Sequence, residues 1–214
     1  MILYPLGCNV APERPGSAAG RFMINLMTTW TFEPGHSAAE FRARHMMVTW
    51  VRGHFKNVKG TMAFEPDDPS HSSVNVVIDA NQLWTGEPAR DAHLKSADFL
   101  DVANHPQILF KSTSVEQCGA NHYKAAGDLT IRGITRPAVL DVHYFGQWPT
   151  PYWEDGVDRG PITRAGFVAT TSINRHAFDV NWNSVMDGGG IVVGKEIDIT
   201  IDVEALRDSD LPRR

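Results

Sequence analysis

Val193-Gly194-Lys195-Glu196-Ile197-Asp198-Ile199-Thr200-Ile201-Asp202-Val203-Glu204 decides the fold class. Ile197, Ile199, Ile201 and Val203 fall on one side of an extended chain, and Glu196, Asp198, Thr200, Asp202 and Glu204 on the other. Side chains change sides at every residue only in a strand, so this stretch is a strand with one face buried and one face wet. Ile191 and Val193 carry the apolar set further upstream.

The same period recurs through the chain from Thr29 onward. Ala39, Phe41 and Ala43 alternate with Glu40, Arg42 and Arg44; Val74, Val76, Ile78 and Ala80 repeat the pattern; Ile108 and Phe110 stand against Lys111 and Thr113; Ala138, Leu140, Val142 and Tyr144 follow. Turn chemistry separates the runs, at Pro66-Asp67-Asp68-Pro69, Gly119-Ala120-Asn121, Arg132-Gly133, 149–160 and Asp187-Gly188-Gly189-Gly190. About eight strands joined in this way predict an all-β antiparallel sandwich or barrel. A barrel is favoured, because closure removes the exposed sheet edges. Two stretches depart from the period of two. Residues 47–55 put Val48, Val51 and Phe55 at helical spacing; residues 88–97 open on Pro88, with Asp91 in the first turn and Lys95 in the last. Both are expected to be short helices inserted between strands.

Composition narrows the function classes. A net charge of −5 argues against a phosphate-backbone partner, so no nucleic acid is expected. The hydrophobic fraction is 42% and the charged fraction 21%, close to globular averages. No apolar run approaches the roughly 18 residues of a spanning helix. Residues 1–28 are read as a disordered or loosely ordered extension: Pro5 breaks the apolar start, and Leu6-Gly7-Cys8 lacks the charged residue that precedes a lipoprotein signal. A cytoplasmic location is expected on that basis. The barrel domain is expected over 29–206 and a tail over 207–214.

Catalytic and metal signatures are sparse. The nine histidines show no metal-ligand spacing, and Cys8 and Cys118 do not make a four-ligand site, so no cofactor or metal is expected. There is no Gly-x-Ser-x-Gly. The glycines at 188–190 and 194 open a strand instead of a helix and suit a hairpin better than a phosphate cradle. Asp91 and His93, two apart on a helix, do not face each other. Six tryptophans and ten phenylalanines supply either ordinary packing or the lining of a slot, and a closed eight-stranded barrel is just wide enough for either.

Longer motifs add to this reading. Arg90-Asp91-Ala92-His93-Leu94-Lys95-Ser96-Ala97-Asp98-Phe99-Leu100-Asp101, followed by Pro106-Gln107-Ile108-Leu109-Phe110, strongly resembles the most distinctive segment of the YceI-like family. Gly127-Asp128-Leu129-Thr130-Ile131-Arg132-Gly133-Ile134-Thr135-Arg136-Pro137 resembles a second. His36-Ser37, Phe41, His45, Val51-Arg52-Gly53-His54-Phe55 and Gly60 look like its opening; Gly166-Phe167, Ile173-Asn174-Arg175, Phe178 and Val193-Gly194 look like its closing strands. The likeness runs from about Thr29 to Ala205. It implies an elongated lipocalin-like antiparallel barrel capped by short helices, whose interior holds a polyisoprenoid or fatty-acyl chain, and it carries no catalytic residues with it. Asp179 departs from the glycine the family usually has after Phe178.

The leading expectation is therefore a non-catalytic binder of a long-chain lipid. Phe41, His45, Val48, Val51, Phe55, Arg90, His93, Leu94, Phe99, Phe110, Leu129 and Phe167 are its candidate ligand-binding residues. Arg90, His93 and Lys95 are expected near the mouth, where Arg90 either meets the ligand or pairs with Asp91 or Asp98. Two alternatives stand beside it: a lipid-modifying enzyme using His45 or His93 as general base, and a barrel with a filled core that serves a protein partner. The aromatic segment 147–163, with Trp148, Tyr152 and Trp153, is read as a long loop that gates lipid access or takes part in a homodimer contact.

Overall fold

The computed structural model describes residues 27–185 and 190–212. Most of the expected N-terminal extension and three of the four residues of the glycine turn lie outside the described residues. Within them the period-two runs become eleven strands of one antiparallel sheet: β1 (Thr29–Phe32), β2 (Ala38–His45), β3 (Thr49–Lys56), β4 (Lys59–Ala63), β5 (Ser73–Asp79), β6 (Leu83–Trp84), β7 (Gln107–Gly119), β8 (His122–Ile131), β9 (Ile134–Glu154), β10 (Val157–Asn174) and β11 (Val193–Arg207).

Closure differs between the two ends. At one end β1, β4, β5, β7, β8, β9, β10 and β11 pair in a ring that β1 closes on β11, with Trp30 opposite Arg207. This is an eight-stranded antiparallel barrel. At the other end β2 continues β1 along β11, β3 continues β4, and β3 pairs with β6 in place of β5. The wall is thus open between β3 and β5. Helix α1 (Pro88–Lys95) follows β6 there, with Pro88 in its first turn as the sequence predicts. β10 is 18 residues long, about 60 Å at roughly 3.3 Å per residue, which makes the barrel elongated.

The register puts the alternating residues where their polarity requires. Ile197 lies between Ile173 and Ala43, Ile199 between Thr171 and Phe41, and Ile201 between Ala169 and Ala39. These form inward rows. Two glycines in the wall make room for a ring. A Cβ on Gly53, the partner of Phe41, would stand 2.5 Å from the Phe41 ring, and one on Gly127 would stand 2.7 Å from the ring of Phe110. Each ring therefore lies against the wall instead of across the lumen.

Two expectations are corrected. Residues 47–55 do not form a helix: Met46 to Val48 are a turn, and β3 follows, with Gly53 and Phe55 buried and Arg52 exposed. Val48, Val51 and Phe55 fit a helical spacing by coincidence, but β2 offers a full ladder of partners and that pairing decides the outcome. Segment 147–163 is not a loop either. It is the hairpin end of β9 and β10, paired from Gln147 with Ala165 to Glu154 with Val157, around Asp155-Gly156. Prolines at 149, 151 and 161 disguised it, because they are tolerated at this thinly paired, irregular end of the sheet.

Candidate functional site: an apolar slot sealed at one end

The inward rows do not fill the barrel. An upper chamber under α1 and the 3-10 turn Arg175–Phe178 is walled by Ala39, Phe41, Ala43 and Phe55 from β2 and β3, and by Val76, Ile78, Ile108, Phe110, Leu129, Ile131 and Leu140 from β5 to β9. Ile173, Val193, Ile197, Ile199 and Ile201 complete the wall, and Leu83, Leu94, Phe99, Leu100, Phe178 and Val180 cover it. It holds about 1150 Å³ of atom-free space, its opening included. The wall is almost wholly apolar, so it suits a hydrocarbon chain better than a polar solute.

A lower chamber of about 660 Å³, open space at its edge included, continues it, walled by Phe32, Met62, Phe64, Val74, Val115, Tyr123, Val142, Phe167 and Val203 among others. Val76, Leu140 and Ile201 belong to both walls, so the chambers adjoin along one axis. The lower one ends on a cluster of aromatic rings. Phe64 meets Tyr123, Tyr144 and Phe167 at centroid distances of 5.4, 5.1 and 5.2 Å, each edge to face. Beneath them Trp30 is 1% exposed and donates from Nε1 to the Phe64 carbonyl at 3.1 Å. Burial pushes the Tyr123 and Tyr144 hydroxyls above the usual tyrosine range.

Of the residues expected to bind ligand, Phe41, Phe55, Leu94, Phe99, Phe110 and Leu129 converge on the upper chamber, and Phe167 on the lower. Val51 shares the inward row of Phe55 but is not part of either wall. Val48 is 80% exposed in the β2–β3 turn, and His45 ends β2 beside it; neither lines the slot. Arg90 pairs with neither Asp91 nor Asp98. Its Nε donates to Thr85 Oγ1 at 2.8 Å and its Nη2 to the Thr85 carbonyl at 3.0 Å, while Asp91 accepts from the Thr85 amide, so both residues tie α1 to the end of β6.

His93 is the residue that bears on the enzyme alternative. Its Nε2 lies 2.9 Å from Asp98 Oδ2, and its ring sits edge-on to Phe99 and Trp182. It does reach a carboxylate. Among the described residues, however, no hydroxyl or thiol hydrogen-bonds to the His93 ring, Ser96 Oγ donating instead to the His93 backbone carbonyl at 2.8 Å, and the side chain is outside the chamber wall. Nor do three or more His, Cys, Asp or Glu side chains gather in a metal-holding group among the described residues.

Arg175 had no role assigned from sequence. It is 4% exposed and reaches three backbone carbonyls: Nε to Gly194 at 2.9 Å, Nη1 to Val180 at 2.6 Å and Nη2 to Val193 at 3.2 Å. Burial pulls its pKa below the usual arginine range. The planar fork stitches the Arg175–Phe178 turn and the following chain to the start of β11, which sets the top of the chamber. Ile173, Phe178 and Val180 were also missed as wall residues. Ile173 follows the alternation of β10 and was legible; Phe178 and Val180 lie in irregular chain, where no period exists to read.

The comparisons with known proteins agree with this geometry. The description "YceI-like domain" matches residues 30–205. A UPF0312 protein of Pectobacterium atrosepticum is 36% identical over 175 residues, covering 82% of this chain and 83% of that protein. Protein YceI of Escherichia coli O157:H7 is 35% identical over 175 residues, 82% of this chain and 84% of its own length. Among solved structures, a Campylobacter jejuni YceI protein superposes with a TM-score of 0.63 at 25% identity, over 77% of this chain and 90% of that one. A polyisoprenoid binding domain from Saccharophagus degradans, implicated in plant cell wall breakdown, superposes with a TM-score of 0.56 at 10% identity, over 85% of this chain and 99% of that one, and shows the fold alone. Motif, barrel topology and relatives of matching length converge, and this chain belongs to the YceI-like family.

Proposed function

We propose that this protein is a non-catalytic carrier that holds one long polyisoprenoid or fatty-acyl chain inside its barrel. The observation that carries the reading is the pair of adjoining apolar chambers, which follow one another along the barrel and meet the Phe64 cluster at one end. Burial supplies about 0.8 kcal/mol per methylene, so a chain of about fifteen carbons gains about 12 kcal/mol before the cost of ordering it. No specific hydrogen bond is needed for tight binding. Depth then selects chain length, while the head group stays outside an apolar wall and is read weakly. The Saccharophagus degradans domain, described as polyisoprenoid-binding, supports an isoprenoid as the chain.

The test is mass spectrometry of an organic extract of the purified protein. A stoichiometric lipid with a long unbroken apolar chain is the expected result. An extract free of lipid, together with no uptake of a fluorescent long-chain lipid by the delipidated protein, removes the carrier reading and favours a partner-binding barrel. Turnover of the bound lipid that His93→Ala abolishes would favour the enzyme.

A further inference from the structure

The rim beside the upper chamber carries side chains that cargo binding does not use. Between β2 and β3 the chain reverses at Met46 and Met47, and the Val48 amide donates to the His45 carbonyl at 3.1 Å. Both methionines have positive φ, 48° and 60°. That is the hairpin turn in which Asn-Gly is favoured, and two L-methionines occupy it against their backbone preference. Their side chains stand in water, and Val48 is 80% exposed. Val185, 81% exposed, and Ile191 face each other in an isolated bridge alongside, and the Met46 amide donates to the Val192 carbonyl at 2.8 Å. Five exposed apolar residues thus meet at one end of the barrel. Single exposed apolar residues are ordinary, but a gathered set at a rim marks a contact surface.

The neighbouring charges say what that contact is. Just behind the tip, the guanidinium groups of Arg42 and Arg44 both lie against the Trp50 ring, 4.6 and 4.8 Å from its centroid. Arg42 is neutralised by Asp198 at 2.9 Å, whereas Arg44 and Lys195 have no ion-pair partner among the described residues. Gly194 stands beside Arg44, where a Cβ would lie 3.1 Å from Arg44 Cβ, and exposed Lys195 follows it in the chain. Glu196 follows Lys195 in the irregular stretch opposite Arg44, and Asp198 lies opposite Arg42. Moving inward from the end, the order is apolar tip, then tryptophan and unpaired cations. A bilayer presents acyl chains, then an interface favourable to tryptophan, then anionic phosphates, in the matching order. This local excess of cations occurs on a chain whose net charge is −5.

We propose that this rim docks on an anionic lipid bilayer, with Met46, Met47, Val48, Val185 and Ile191 entering the surface and Arg44 and Lys195 meeting phosphates. The turn is the start of β3, whose far edge borders the unpaired gap toward β5, so docking places that gap against the membrane. Passage of a cargo chain through the gap rests on the carrier reading; docking itself does not.

The test is flotation of the full chain with vesicles of phosphatidylcholine alone and of an equimolar mixture with phosphatidylglycerol. Binding to the mixed vesicles that weakens with salt is expected. Met47→Asp with Val48→Asp should lower it by about tenfold or more, and Arg44→Glu with Lys195→Glu should lower it to the level on neutral vesicles. The tip side chains are exposed, so the melting temperature and extracted lipid of the tip variant should match the parent. Absence of flotation on mixed vesicles, or flotation unchanged by the tip variant, overturns the proposal. So does a dimer seen by light scattering that the tip variant splits while vesicles are left unbound, since the tip would then bind a second copy. In each case a lipid still present in the extract leaves the carrier reading intact.

Discussion

Phe64→Ala tests whether the aromatic cluster is the stop that sets cargo length. Phe64 is 5% exposed and contacts three rings, so its truncation falls among buried Phe-to-Ala changes that cost about 3–5 kcal/mol. For a chain of this size each kcal/mol moves the melting temperature by about 2–4 °C, so a loss of about 4 kcal/mol lowers it by about 8–16 °C. The Trp30 bond to the Phe64 carbonyl is to backbone and survives the change. The ring that is lost matches the bulk of about one isoprene unit, and burying about five further carbons at about 0.8 kcal/mol each offers about 4 kcal/mol to a longer chain. The assay loads delipidated protein with an equal mixture of isoprenoid alcohols of graded length and measures what is retained. Retention should shift by one unit toward longer chains, with at least about tenfold enrichment after ordering costs. Phe64→Leu, which keeps most of the packing, should shift the distribution less and remain folded if the alanine variant does not. A lowered melting temperature with an unchanged length distribution in both variants refutes the idea that this cluster reads length.

Gly53→Ala should drive the Phe41 ring away from the wall, since the new Cβ would lie 2.5 Å from it; about 1–3 kcal/mol of stability and a fall in lipid capacity are expected, read by denaturation and by lipid titration. Asp179 follows Phe178 in the left-handed region at φ 57°, where glycine is cheaper, so Asp179→Gly should raise stability by about 1 kcal/mol, seen as a higher denaturant midpoint at constant slope. Tyr123 and Tyr144 are raised by burial, so above about pH 10 the unfolded chain loses their protons first and the folded state holds more. Stability is therefore complete below that pH and falls as pH rises above it. Tyr144→Phe should flatten the alkaline slope, and an unaltered slope would contradict the cause given.

The barrel was legible because its wall is built from alternation. Val193 to Glu204, Ala39 to Ala43 and Ala138 to Tyr144 each show two faces that only a strand presents, and those faces lie inward and outward in the register found. Seven of twelve expected ligand residues line the chambers because they sit in such rows or, like Leu94 and Phe99, in the segment that covers them. Val48 lies outside the chambers for a local reason: an apolar residue in a turn has the same letter as one in a wall. Arg90 is held on Thr85, whose carbonyl and hydroxyl leave no mark in a sequence of charges.

What the sequence by itself determined is periodic and local: the alternation that makes most of the strands, the helix opening on Pro88, and the family motifs. What only the tertiary structure decided is whatever depends on which distant residues meet. Ring closure of β1 on β11, the gap left where β3 pairs with β6, and the join of two chambers through Val76, Leu140 and Ile201 are all contacts between segments far apart in the chain. The grip of Arg175 on three carbonyls belongs with them, since backbone acceptors are the same at every residue and only folding selects which three. An inward face can be read from one strand, but whether eight such faces fill their lumen or leave a slot depends on how all their side chains pack together.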